Sequence, residues 1–248
     1  MIVYPFSFLR TAKTSTTTTT TTAPVVLSGL KLRLDAASAS SYPGSGTTWY
    51  DTSGNGVNYT LQNGPTYNSS TASGVIVFNS ASSQYVNSSS TLFNSSTYNT
   101  YTINIWVYPT SAGNLVQVDG QSTPRIGYHY SAIEITAAGL ISFGQWTGAM
   151  TTITTSSKSL NAWYNLVISY NGTTANAYIN GVTAGSANIS WSSPGANTFI
   201  ALMAADATDM GTNAYASGYV GAFYVYNIGL SYSLVTQNFN ALRSRFGI

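Results

Sequence analysis

Residues 163–182 form the stretch WYNLVISYNGTTANAYINGV, which is the clearest indication of the fold. Apolar or aromatic residues occupy every second position from 166 to 170 and again from 175 to 179, and this two-residue period is that of a β-strand. An Asn-Gly pair follows each segment, at 171–172 and at 180–181. Because Asn-Gly accepts the positive φ angles of tight hairpin turns, the stretch predicts three consecutive antiparallel strands.

Further segments with a strand pattern recur along the chain, with turn residues between them. Segment 101–107 is the strongest, since Ile103 and Ile105 share one face while Trp106 points to the other. The remaining predicted strands are 25–34, 75–78, 85–86, 115–118, 126–130, 133–136, 140–143, 151–155, 199–203 and 219–226. A spacing of about ten residues between many of them is typical of an all-β sandwich or barrel.

The C-terminal residues follow a helical pattern instead. Ser231 is a predicted N-cap, Gly247 lies past the predicted end, and Arg243 and Arg245 near that end suit the helix dipole. One apolar stripe combines Leu234, Val235, Phe239 and Leu242. We therefore predict one short helix of about three turns, packed against the sandwich.

Composition narrows the functional classes. The chain has 248 residues, which suits a single sandwich domain, and only 6% of them are charged, against about 25% in typical soluble domains. Bases cluster at the two ends and the body is mildly acidic, so we predict no nucleic-acid binding. The chain has no cysteine, and no apolar run reaches the length of a membrane span.

The first 24 residues differ from the rest and are predicted to be an extended N-terminal arm with a Thr-rich linker. Ile2, Tyr4, Phe6 and Phe8 alternate with other residues as in a strand, and 14–22 are nine consecutive Ser or Thr residues. The first interpretation is an assembly arm whose strand pairs with a neighbouring subunit, with the Thr run as spacer. The alternative is a frayed terminus.

Three segments together resemble a known family. YTINIWVYPT (101–110), the stretch 163–182 and the C-terminal segment 218–248 are similar to signature regions of concanavalin A-like, laminin-G-like jelly rolls. The opening LDAASASSYPGSGTTWYDTSGNG (34–56) and the closing NFNALRSRFGI resemble a subgroup frequent in phage and large-virus structural proteins. The resemblance covers roughly residues 27–248. It implies an antiparallel two-sheet jelly-roll sandwich over 25–248.

Relatives of this fold include glycoside hydrolases, which need two carboxylates within about 5–10 Å of each other. Glu134 is the chain's one glutamate, and Ala132 and Thr136 stand where a partner two residues away would be. His129, the one histidine, lies between two tyrosines in a predicted strand and has no nucleophile motif to support it. We therefore predict that the protein is not an enzyme.

Many laminin-G-like domains bind calcium through carboxylates and loop carbonyls, so the resemblance makes calcium the one cofactor to weigh. The metal candidates are Asp119, Asp206 and Asp209. Asp51, in DTSGNG, is a fourth carboxylate in a turn-rich segment. No stretch matches a dedicated calcium loop, and we favour a structural-turn role for all four residues.

Glycan binding uses exposed aromatic rings together with Asn and Asp side chains. Trp146, Trp191 and Tyr215 lie in predicted loops or at strand ends and are the candidate stacking residues. Aromatic residues also suit sheet faces in general, so an ordinary packing role is the alternative.

Our first functional hypothesis is a non-enzymatic structural protein on the exterior of a virion, as a capsid-associated, tail or fibre component. It would contact other structural subunits through the arm and form homo-oligomers, which a surface of low charge permits. The alternative is a glycan-binding adhesion module, calcium-dependent or not, on a virus, in the extracellular space or on a cell surface. An enzyme is the third option, and facing carboxylates would support it.

Overall fold

The computed structural model describes residues 1, 23–88, 90–92, 99–120, 129–146, 150–189, 198–204 and 215–248, without the side chains of His129 and Trp146. In chain order, the strands are β1 (Leu30–Asp35), β2 (Thr48–Trp49), β3 (Tyr59–Gln62), β4 (Thr66–Asn68), β5 (Val75–Phe78), β6 (Tyr85–Ser88), β7 (Tyr101–Pro109), β8 (Gly113–Asp119), β9 (His129–Ile135), β10 (Leu140–Trp146), β11 (Met150–Ser157), β12 (Tyr164–Tyr170), β13 (Thr174–Ile179), β14 (Val182–Asn188), β15 (Phe199–Leu202) and β16 (Gly218–Tyr226). Helix α1 (Tyr232–Phe246) follows the last strand.

The strands form two antiparallel sheets of eight strands each. The first sheet has the order β14-β13-β12-β7-β16-β5-β4, with β1 paired to the second half of β16. The second sheet has the order β11-β10-β9-β8-β15-β6-β3-β2. Two packed antiparallel sheets and one C-terminal helix confirm the predicted jelly-roll sandwich.

The core lies between the two sheets, where the inward-facing residues of both meet. Ile105 and Phe223 from the first sheet and Tyr59, Val116 and Phe143 from the second are all buried there. Because strand side chains alternate between faces, the neighbours of these positions lie on an outer face of the sandwich, except at the β8 bulge, where Leu115 and Val116 are both in the core. The alternation therefore decides what the two outer faces carry.

The three strands predicted from 163–182 are confirmed as β12, β13 and β14, paired in sequence. At the second Asn-Gly turn, Asn180 and Gly181 both have positive φ, of 52° and 73°. The Asn180 side chain also accepts a hydrogen bond from the Asn165 backbone N–H at 2.9 Å. At the first turn, Gly172 has positive φ, and the Asn171 side chain accepts from the N–H groups of Thr173 and Thr174. One dipeptide thus makes two different turns.

Helix α1 packs on the outer face of the first sheet. The Trp106 ring is stacked on Phe246 with centroids 4.4 Å apart and on Phe239 at 5.8 Å. The Arg245 guanidinium lies 2.6 Å from the Asp35 carboxylate and also donates to carbonyl oxygens of the 72–74 turn. These contacts hold the helix C-terminus against the sheet.

Both ends of α1 refine the sequence prediction. The helix has 15 residues, about four turns rather than three. Gly247 takes a left-handed conformation (φ 71°) and closes the helix, as predicted. Ser231 is in the N-cap position but makes no side-chain capping bond, because its Oγ is 2.9 Å from Ser233 Oγ instead.

Several strand predictions differ from the structure in extent. Segments 126–130 and 133–136 were predicted as two strands, but 129–135 is one continuous strand, since Ser131 pairs across to Gln117 without a turn. Residues 126–128 lie outside the described residues. Strands β2, β3 and β4 were missed. They have two to four residues and lie in Gly- and Ser-rich sequence, too short for an alternation to be visible.

The described part of the chain has no helix that is long and apolar enough to cross a membrane. The assembly-arm residues Ile2, Tyr4, Phe6 and Phe8 lie outside the described residues. The chain is anchored at the end of the predicted arm. The Val26 N–H donates to Asn238 Oδ1 at 2.8 Å, and Gln237 Nε2 donates to the Pro24 carbonyl at 2.8 Å, so 24–26 is held against α1.

Candidate functional site

The outer face of the second sheet is largely polar. Its side chains are those that alternate with core residues along the strands, as the strand registers show. The polar ones are Thr48, Thr60, Gln62, Tyr85, Asn87, Asn114, Gln117, Asp119, Ser131, Glu134, Ser142, Thr152 and Thr154, and the apolar residues Met150, Phe199 and Ala201 lie on the same face. Hydroxyl and amide groups dominate this face, and only two of these thirteen polar side chains are acids.

Four half-buried residues near the β3–β6 end of this face form what we call the tyrosine–amide patch: Gln62, Tyr85, Asn87 and Tyr215. Gln62 and Tyr85 are directly opposite each other across the strand pair. Gln62 Nε2 donates to Asn87 Oδ1 at 3.1 Å. The Tyr85 and Tyr215 rings lie beside each other, with centroids 6.2 Å apart and a 40° tilt. The patch therefore combines two aromatic rings with two ordered amides.

The centre of the face is more deeply buried. Asn114 Nδ2 donates to Ser131 Oγ at 2.9 Å, and Gln117 Nε2 donates to the Asp119 carboxylate. Asn114, Gln117 and Asp119 are each at most 1% exposed. A buried polar side chain is costly unless it is hydrogen-bonded, so these bonds keep the centre of the face ordered beside the patch.

Of the predicted stacking residues, only Tyr215 can be placed fully. It is half-buried and contacts Tyr85, as described above. Trp146 ends β10, four strands from β6 in the sheet, so its backbone is about 19 Å from the patch. Trp191 lies outside the described residues. The structure thus does not bring Trp146 to Tyr215.

Of the three predicted metal ligands, the structure describes only Asp119. Asp119 is buried and accepts from Gln117, while Asp206 and Asp209 lie outside the described residues. Among the described residues there is no group of three or more His, Cys, Asp or Glu side chains that could hold a metal. Asp51 has the predicted turn role, because its carboxylate accepts from the N–H groups of Arg33, Ser53 and Val57.

The two carboxylates on the face are not a hydrolase pair. Glu134 is opposite Asn114, whereas Asp119 lies five residues further along β8 and is opposite His129. Five strand residues correspond to about 16 Å, beyond the separation that glycoside hydrolysis by a carboxylate pair requires. Burial raises the pKa of the Glu134 carboxyl above its ordinary value of 4.5.

Three of the four patch residues were not identified from the sequence. Gln62 lies in a strand that was missed, and Tyr85 and Asn87 flank the core residue Val86. The alternation of Tyr85-Val86-Asn87 was a usable signal, since it places the first and third residues on one face. Nothing local indicated that β3 would be the neighbour of β6.

Comparison with known proteins agrees with the jelly-roll fold. The family model described as "Concanavalin A-like lectin/glucanases superfamily" matches residues 78–235. No curated protein matches the sequence.

Solved structures with the same fold include domains of bacterial proteins. Domain 4 of the extracellular arabinanase AbnA from Geobacillus stearothermophilus, in complex with arabinotriose, is 16% identical with a TM-score of 0.58; the match covers 84% of this chain and 97% of that domain. The binding domain of Paraclostridial Mosquitocidal Protein 1 is 18% identical with a TM-score of 0.62, over 86% of this chain and 52% of that one.

The binding domain of botulinum neurotoxin DC, in complex with SialylT, is 17% identical with a TM-score of 0.60, over 87% of this chain and 52% of that one. The chain therefore spans about half the length of the two toxin binding domains. At this level of identity, the matches establish a shared fold.

Proposed function

Because the chain belongs to the concanavalin A-like lectin/glucanase superfamily, we propose that it is a lectin-like module that binds a neutral glycan on the tyrosine–amide patch and has no catalytic activity. The observation that carries the proposal is the side-by-side placement of the Tyr85–Tyr215 ring pair and the Gln62–Asn87 amide pair on one polar face. The AbnA domain with arabinotriose is a precedent for a glycan ligand on this fold.

The chemistry of the patch suits a sugar. A pyranose has apolar C–H groups on its faces and hydroxyls around its edge, so its recognition calls for an aromatic surface next to hydrogen-bonding groups. Tyr85 and Tyr215 supply the rings, and the side chains of Gln62 and Asn87 each carry both a donor and an acceptor. Because the amides already bond to each other, little side-chain entropy is lost when a ligand is bound.

The charge of the face supports a neutral ligand. The described side chains of this face include two carboxylates, Asp119 and Glu134, and no cation, so an anionic sugar would be repelled. The same two carboxylates are too far apart to act as an acid and a base on one glycosidic bond. These features favour binding without hydrolysis.

A glycan array with the purified protein tests the proposal, followed by titration of the best neutral ligand. We expect Tyr85→Ala and Tyr215→Ala each to weaken binding by about tenfold or more, because an aromatic stacking partner is removed. Tyr50→Ala is the matched control, since Tyr50 is a 43% exposed tyrosine outside the patch. Equal binding by all three variants would show that the glycan site is elsewhere.

The array is repeated with calcium and with a chelator. We expect unchanged binding, because the patch offers amide and phenol groups rather than the carboxylates that a calcium site favours. Loss of binding with the chelator would instead indicate a calcium-dependent site, and Asp119, Asp206 and Asp209 would be the first residues to substitute.

A second candidate is the structural role, with the module carried on the exterior of a virion or, alternatively, outside or on a cell. The favouring observation is the anchor at Pro24–Val26, which gives the predicted arm a defined point of departure beside α1. In this proposal, the arm docks into a neighbouring subunit and the patch faces outward. The two candidates are compatible, since an exterior component can also bind glycans.

Removal of residues 1–22 tests this role and leaves the Gln237–Pro24 and Asn238–Val26 bonds in place. We expect an unchanged melting temperature and loss of assembly, measured by calorimetry and by light scattering. Phe6→Ser with Phe8→Ser is expected to have the same effect in weaker form, because each buried Phe contributes about 1.5–3 kcal/mol. A truncated protein that unfolds would mean that the arm belongs to its own sandwich.

A further inference from the structure

A groove lies at one side of the sandwich, between the edge strands of the two sheets. Strand β11 is the edge of the second sheet and β14 is the edge of the first. The groove has a volume of about 460 Å³, within the range of ligand sites. We call it the edge groove, and its lining residues are Thr154, Thr155, Ser156, Lys158, Ile179, Asn180, Val182, Thr183 and Ala184.

The walls of the edge groove are held in place by contacts beneath it. A Cβ on Gly185 would lie 2.6 Å from Ile153 Cγ2, so β14 and β11 touch where the glycine leaves room. On one wall, the Asn180 side chain is fixed to the Asn165 N–H. On the other, the Lys158 N–H donates to the Gly139 carbonyl at 2.8 Å. The groove is therefore preformed, which lowers the entropic cost of binding.

The lining has a distinctive chemistry. Thr155 and Ser156 supply hydroxyls, while Ile179 and Val182 supply an apolar surface. Lys158 is the one cation of the lining, and no acid is present among the lining residues. Its side chain makes no ion pair or hydrogen bond within the described part of the chain, although it is half-buried. A cation in this position attracts an anion that can also use hydroxyl contacts.

We propose that the edge groove binds a carboxylated monosaccharide unit, such as a uronic acid, with its carboxylate at Lys158 Nζ and its hydroxyls at Thr155 and Ser156. An ammonium–carboxylate contact gives a charge-assisted hydrogen bond, and the hydroxyl side chains match the remaining polar groups of a sugar. The side chains of Ile179 and Val182 lie against the C–H groups of the ring. This site is distinct from the tyrosine–amide patch, which lacks a cation, and does not depend on it.

The test is an NMR titration of the isotopically labelled protein with D-glucuronate, and with D-glucose as the neutral probe of the same shape. We expect glucuronate to shift the amide signals of 154–158 and 182–184, and glucose at equal concentration to leave them unshifted. Lys158→Gln should weaken glucuronate binding about five- to tenfold, because a hydrogen bond to a charged group is lost. Raised salt should weaken the wild-type interaction in the same direction.

Lys31→Gln is the matched control, since it makes the same change of charge on β1, five strands from β14 and so about 24 Å away. It should bind glucuronate as the wild type does. Three results would overturn the proposal: no shifts with glucuronate, equal affinity in Lys158→Gln and wild type, or equal weakening by Lys31→Gln. Ser156→Ala, which removes one exposed hydroxyl from β11, should weaken binding of glucuronate without changing the melting temperature.

Discussion

The two outer faces of the sandwich are built from strands of the same kind but carry opposite chemistry. On the first sheet, Trp106, Tyr224 and Tyr226 are fully buried under α1 and the Val25–Val26 segment. On the second sheet, the corresponding positions carry hydroxyls and amides, and the described chain places no α-helix over them. One face is thus used to bind the chain's own C-terminus, while the other is available for a ligand.

The difference shows how a sandwich divides stability from function. A face that holds aromatic rings must be covered, because its exposure to water is costly, and the helix provides the cover. A face of neutral polar groups is stable in contact with water and can exchange that water for a sugar. Substitutions on the first face should therefore change stability, and substitutions on the second should change binding.

The largest effect is expected for Trp106→Ala. Its ring is fully buried between the first sheet and two phenylalanines of α1, so truncation leaves a large cavity. We expect a loss of about 3–5 kcal/mol in the free energy of unfolding, measured by urea titration. Trp106→Phe keeps a ring and removes an indole N–H that has no hydrogen-bond partner, so its cost should be much smaller. Equal costs for both variants would mean that the stacking is unimportant.

The next effect concerns the ion pair that closes the same face. Arg245→Met leaves the Asp35 carboxylate, which is 11% exposed, without its guanidinium partner. We expect a loss of about 3 kcal/mol in the free energy of unfolding, because an uncompensated carboxylate is buried. Asp35→Asn in the same chain should recover part of the loss. If the double variant is as unstable as Arg245→Met, the contacts of Arg245 with backbone carbonyls carry the effect.

A smaller effect, of opposite sign, is expected on the second face from Glu134→Gln. Burial raises the pKa of Glu134, so the folded state binds its proton more tightly than the unfolded state does. Its contribution to stability is therefore present below pH 4.5 and is lost as the pH rises through the raised pKa. Glu134→Gln should stabilise the protein at pH 7 and flatten that decline. Parallel pH profiles of the melting temperature for both proteins would contradict this account.

The smallest effect on stability is expected within the tyrosine–amide patch. Gln62→Ala removes one partner of a half-buried hydrogen bond on a wet face, and we expect a change within about 1 kcal/mol in the free energy of unfolding. Glycan affinity should nevertheless fall severalfold, as measured by calorimetric titration. A large loss of stability with unchanged affinity would contradict the assignment of stability to the first face and of binding to the second.

Much of the first face could be predicted from the sequence. The alternation over 101–107 placed Trp106 opposite Ile103 and Ile105, and the helical stripe predicted Val235 and Phe239 as packing residues, which are both buried. Both are local periodicities, so neighbouring residues carry the whole signal. Arg245 shows the limit of such signals. Its suitability for the helix dipole was predicted, but its contact with Asp35, 210 residues away, was not.

Much less of the second face could be predicted from the sequence. Tyr215 was identified as a candidate glycan residue, but its neighbour Tyr85 lies 130 residues earlier and was seen only as part of a strand. Trp146 was proposed with Tyr215, although β10 and β6 are four strands apart. The residue types that suit a sugar are common throughout this chain. Composition therefore named candidates that the strand order does not bring together.

The all-β class, the turns of the central hairpins, the C-terminal helix and the resemblance to the family could all be predicted from local sequence patterns. These follow from periodicity and turn chemistry over a few residues, which act before the chain is folded. The folded structure was needed to show that β6 lies beside β3, that Tyr85 meets Tyr215, and that β11 and β14 enclose a groove beside Lys158. Such contacts arise from strand order and register, which are set by the joint burial of distant segments.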